Sequence, residues 1–107
     1  RDTAREAAQR LRDWGAAHVV MKLGSKGCLY LGDEELFVPA FTVDAVDTTG
    51  AGDAFTAALA VAWGQVSLPE ALRFANAAGA LAATVEGAQP SMPTLEAVLT
   101  FLDAQDR

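Results

Sequence analysis

Histidine and cysteine each occur once in the 107 residues, as His18 and Cys28. A single cysteine closes no internal disulfide, which favours a reducing, cytoplasmic setting. The two residues fall on different expected strands, with neither metal-ligand spacing nor a nucleophile–base pairing, and both read as structural. Long apolar runs are lacking as well, which excludes a membrane-spanning helix. Basic residues are scarce: eight Lys+Arg stand against 14 Asp+Glu, a formal charge of −6. Such a surface repels polyanions and argues against nucleic acid or an anionic membrane as partner, so any phosphate must be held locally. There is no Met at position 1, no signal peptide, no basic leader, no repeat and no low-complexity linker. What remains is 51% hydrophobic and 21% charged, which excludes a disordered chain and fits one soluble domain-sized piece of something longer.

Two common phosphate-binding patterns are missing. A P-loop needs G-x-x-x-x-G-K-[ST], which neither Gly24-Ser25-Lys26-Gly27 nor Gly50-Ala51-Gly52 satisfies. A dinucleotide fingerprint needs a third small residue where Phe55 stands.

Apolar periodicity supplies the element order: one helix, three strands, then three helices. Ala4, Ala7, Ala8, Leu11 and Trp14 recur at helical spacing up to Gly15, and Thr3 with Glu6 has the form of a capping box. His18 to Leu23, bounded by glycines, reads as a mostly buried strand. Turns at Gly24–Gly27 and Gly32–Glu35 then separate Cys28–Leu31 and Leu36–Val38, giving consecutive antiparallel hairpins at a sheet edge. An extended segment beyond Pro39 leads to Val46. Phe55, Ala58, Leu59, Ala62 and Trp63 form the stripe of the next helix, and Ser67 with Glu70 forms a second capping box. That box opens an alanine-rich helix through Phe74, Ala75, Ala78, Leu81 and Ala82. Leu95, Val98, Leu99 and Leu102 mark a last helix after Thr94. Helix followed by strands places the chain in the α/β class.

Chemistry concentrates at Val46–Phe55. A helix start presents unpaired N–H groups and a partial positive charge, so it binds phosphate without a lysine. Gly50, Ala51 and Gly52 keep bulk away from those amides. Asp53, in the first turn, is the candidate general base that takes a proton from a hydroxyl attacking a phosphoryl group. On spacing alone the same residues also read as an ordinary helix start, since Asp and Thr are favoured there and Gly in turns. Val85 to Ser91 follows a helix end whose unpaired carbonyls can ligate a cation, or simply marks where a helix stops.

Asp47-Thr48-Thr49-Gly50-Ala51-Gly52-Asp53-Ala54-Phe55 matches at every position the second motif of the ribokinase, or phosphofructokinase-B, family of carbohydrate kinases. Val19–Gly27, Ala75–Leu81 and Gly87–Ser91 resemble, in order and spacing, the strand-turn before it and the nucleotide and cation loops after it. The chain therefore resembles the C-terminal part of the three-layer α/β/α ribokinase fold over residues 1–107, most like ribokinase itself. The resemblance implies that Asp53 is the catalytic base and that the amides of Gly50, Ala51 and Gly52 form an anion hole. It implies that Gly24, Ser25, Gly27 and Asn76 line the adenosine pocket. It also implies a monovalent cation, usually potassium, held by Asp47, Thr49, Ala82, Val85, Gly87 and Ser91. ATP and Mg²⁺ are the implied cofactors, a small sugar such as ribose the acceptor, and a cytoplasmic homodimer the parent enzyme. The sugar-recognising residues, the lid strands and the magnesium-associated motif belong upstream in the family and are absent from these residues. Lys22 departs from the family's frequent Thr. Fructokinase, ketodeoxygluconate kinase and a non-catalytic nucleotide-binding module are the alternatives.

Overall fold

In the computed structural model, which describes residues 2–85 and 93–106, a first unit (residues 1–40) begins with helix α1 (Asp2–Asp13). The helix stops at Gly15, whose φ of +114° suits glycine. The Ala16 N–H donates to the Leu11 carbonyl at 3.1 Å and that of Gly15 to Arg12 at 2.9 Å, the paired bonds of a Schellman motif. Thr3 lies inside α1 instead of ahead of it, so the expected Thr3–Glu6 box does not mark the start; threonine is tolerated in a first turn, and a cap signal does not fix a boundary to one residue. The buried contact of α1 is Ala8, which packs with Val19 and Leu31. Leu11 and Trp14, expected on that stripe, are 40% and 80% exposed, Trp14 because it falls in the turn beyond the last helical residue.

Strands β1 (Val19–Lys22), β2 (Gly27–Leu31) and β3 (Glu35–Pro39) form an antiparallel meander in the order β1-β2-β3. Val19 pairs with Leu31, Lys22 with Cys28, and Gly27 with Pro39. The expectation of a mostly buried first strand is corrected: only Val19 of β1 is buried, whereas every residue of β2 is. β2 is the middle strand, paired on both sides, so its side chains are shielded where those of β1 are half open. His18 Nδ1 lies 2.6 Å from the Tyr30 hydroxyl.

The second unit (residues 41–107) runs from an irregular segment into α2 (Ala51–Ala62), α3 (Leu68–Ala83) and α4 (Leu95–Gln105). Ser67 caps α3 as its spacing predicts, accepting the Glu70 N–H at 3.3 Å and donating its hydroxyl to the Glu70 carboxylate at 2.7 Å. Ser67→Ala is expected to lower unfolding stability by about 1 kcal/mol in a denaturant titration of the intact protein; an unchanged midpoint would show that the cap contributes nothing. Thr94 caps α4 in the same way, accepting from Ala97 at 3.1 Å.

Alanine is what lets these helices close up. Ala54, Ala77, Ala78, Ala82 and Val98 form the buried cluster, flanked by Phe41, Phe74, Leu81, Phe101 and Leu102. Phe41 meets Phe101 edge-on at 5.1 Å between centroids. The Arg73 guanidinium lies 5.1 Å from the Phe41 centroid and pairs with Asp106 at 2.6 Å. In α4 the buried stripe is Val98 with Phe101 and Leu102, whereas Leu95 and Leu99 are 59% and 53% exposed. Among the described residues no helix is long and apolar enough to cross a membrane.

Candidate active site

The start of α2 is held without a side-chain cap. Gly50 is its N-cap residue, at φ −95° and ψ 0°, a sparsely populated bridge conformation frequent at active sites, and as a glycine it supplies no side-chain cap hydrogen bond. The turn ahead is fixed by Asp47, whose Oδ1 accepts the Thr49 N–H at 2.9 Å and also its hydroxyl. The Ala51 N–H donates to the Thr48 carbonyl at 3.1 Å, so an anion would share that proton with the turn. Gly50, Ala51 and Gly52 together carry one methyl group; Gly50 is buried, and Ala51 and Gly52 are half-buried.

Asp53 occupies the third helical position, where a carboxylate often folds back onto the N-cap amide. It does not do so here. Among the described residues its carboxylate has no hydrogen bond or ion pair, and the residue is exposed. An exposed carboxylate in the first turn of a helix is placed to accept a proton beside an anion bound at that helix start.

One carbonyl links this loop to α3. Ala83 accepts both the Val46 N–H at 2.7 Å and the Asp47 N–H at 3.0 Å. The Asp47 backbone is thereby tied to the last turn of α3. The Ala82 carbonyl accepts the Val85 N–H at 3.2 Å, and the Thr84 N–H is directed at the Ala82 and Leu81 carbonyls. Gly87 and Ser91, assigned to the same cation, lie outside the described residues. Sequence reasoning missed the Ala83 carbonyl, since a backbone acceptor of this kind carries no residue-type signal.

Of the residues expected at the nucleotide, one lies in the second unit and three in the first. In the second, Asn76 is buried at 7% exposure in the middle of α3. In the first, Gly24 and Ser25 are exposed in a short 3₁₀ turn (Gly24–Lys26), and Gly27 is buried at the start of β2. Gly24 has φ +59° and Gly27 φ +117°. Lys22, at the end of β1, is exposed. Among the described residues no group of three His, Cys, Asp or Glu side chains is placed to hold a metal ion.

A family model described as pfkB family carbohydrate kinase matches residues 1–95. The chain belongs to that family. It is 42% identical over 106 residues to aminoimidazole riboside kinase of Salmonella typhimurium, covering 92% of this chain and 33% of that protein. The crystal structure of Thermotoga maritima ribokinase superposes with a TM-score of 0.86 at 44% identity, over 92% of this chain and 34% of that one. Arabidopsis thaliana ribokinase, solved with ribose and ATP, gives 0.85 at 41% identity over 92% and 33%. This pfkB chain thus has the α/β fold of a ribokinase segment and spans about a third of the length of the relatives it matches.

Proposed function

We propose that the intact protein is an ATP-dependent sugar kinase that transfers the γ-phosphoryl group to a hydroxyl of ribose or a ribose-like sugar. The observation that carries this reading is the exposed carboxylate of Asp53, without a partner among the described residues, in the first turn of a helix whose start has no side-chain cap. Membership of a carbohydrate-kinase family and the ribose and ATP bound to the Arabidopsis relative support it.

ATP supplies the phosphoryl group. The amides of Gly50, Ala51 and Gly52 stabilise the charge that develops on its oxygens, as backbone donors held in the start of a helix. Asp53 takes the proton of the attacking sugar hydroxyl as the oxygen closes on phosphorus. Gly24, Ser25, Gly27 and Asn76 are assigned to the adenosine side. A monovalent cation fits the second unit, where Asp47 is tied to the carbonyl-rich end of α3, with Thr49, Ala82 and Val85 as the described ligands and Gly87 and Ser91 completing the set. Its charge would brace the turn ahead of α2.

The test is phosphoryl transfer by the intact protein, with ribose and fructose as acceptors, in potassium and in tetramethylammonium. Ribose should be phosphorylated faster than fructose, with potassium accelerating the reaction. Equal rates in the two cations would overturn the Asp47 site, faster transfer to fructose the ribose assignment, and no transfer to either sugar the kinase reading itself.

A further inference from the structure

Gly79 stands in the interior of α3, where glycine is the least favoured residue after proline. Its φ is not positive, so backbone conformation does not require it. Space does. A Cβ built at Gly79 would lie 3.3 Å from the Ala51 carbonyl oxygen and 3.7 Å from Phe55 Cβ, so the bare Cα is what allows α3 to meet the first turn of α2 at this distance. The same helix holds the preceding loop through the Ala83 carbonyl, which accepts the N–H groups of Val46 and Asp47. With no side-chain cap at Gly50, α3 fixes the start of α2 from two points four residues apart on one helix.

We propose that Gly79 is a positioning residue for phosphoryl transfer: its missing side chain sets the depth at which Ala51 sits on α3, and through it the placement of the Gly50–Gly52 amides and the Asp53 carboxylate. This rests on the kinase reading above. Gly79 touches neither substrate nor reacting atoms, and its effect passes through the Ala51 backbone. Alanine there pushes that carbonyl by a few tenths of an ångström while improving the helix propensity of α3. Stability and turnover should therefore move apart.

The experiment compares Gly79→Ala and Gly79→Ser, which share the added Cβ, with Val98→Ala and Asp53→Ala in the intact protein, measuring kcat, KM for sugar and ATP, and Tm. Val98 is 2% exposed in the same alanine core, on α4. Both Gly79 variants should lose roughly tenfold in kcat with KM for the sugar unchanged, because displacements well below 1 Å already cost reaction geometry, and Gly79→Ala should keep or raise Tm. Val98→Ala should lower Tm and leave kcat alone. Unchanged kcat in the Gly79 variants beside an inactive Asp53→Ala overturns the positioning role and leaves the kinase reading standing. An equal kcat loss in Val98→Ala overturns it too, since general loosening of the core would then explain the effect. Absence of transfer in the unaltered protein overturns both proposals together.

Discussion

Asp53→Ala should lower kcat of the intact protein by about 10²–10⁴, the range associated with loss of a positioned general base. In barrier terms that is about 2.7–5.4 kcal/mol, at 1.36 kcal/mol per decade. The folded state should hardly notice. Asp53 is exposed and has no partner among the described residues, so its stabilising role is confined to the helix dipole, about 0.3–1 kcal/mol. ATP should still bind, because the proposed phosphate contacts are backbone amides that the substitution leaves in place. Steady-state kinetics paired with nucleotide titration separates these effects. Turnover close to that of the unaltered protein would remove the base assignment, and loss of ATP binding in proportion to kcat would recast Asp53 as a binding residue.

Gly27→Ala should have the largest effect on stability. Two independent penalties fall on it. At φ +117° and ψ −139° the backbone occupies a region open essentially to glycine, at about 1–3 kcal/mol for any other residue. A Cβ there would also stand 2.1 Å from the Val38 carbonyl oxygen in β3 and 2.7 Å from the Ala40 nitrogen just beyond it, both backbone atoms unable to rotate away. Overpacking of that kind adds about 1–3 kcal/mol. The sum is a large share of the ~5–15 kcal/mol that holds a typical domain. Gly24→Ala is the matched comparison, with φ +59° but nothing within 4 Å of its Cβ, so only the left-handed backbone term of about 1–2 kcal/mol applies. Chemical denaturation of both variants measures the difference, and equal losses would mean that the contact with Val38 contributes nothing.

Local signals were legible, and signals that depend on a partner were not. Ser67 and Thr94 cap the helices that their spacing announces, because a cap needs only the next three residues. The run Asp47–Asp53 was readable for the same reason: it is contiguous, and its turn closes within itself through the Asp47 side chain. Periodicity, in contrast, shows that a face is apolar without showing what covers it. Hence Leu11, Leu95 and Leu99 keep their helical spacing and yet stand open. Which strand would be most buried depended on the pairing of β2 from both sides, and a four-to-six-residue apolar run looks alike in the centre and at the edge of a sheet. Gly79 did carry a signal, a glycine inside an alanine-rich helix. Its meaning was written in the carbonyl opposite.

The burial of β2 gives the chain a built-in clock. Cys28, its only thiol, sits at 0% exposure in the strand paired on both sides. A thiol reagent reaches it only when its surroundings open, so at low reagent reactivity the labelling rate reports the population in which Cys28 is uncovered. The open population around this strand can thus be followed by a single covalent event.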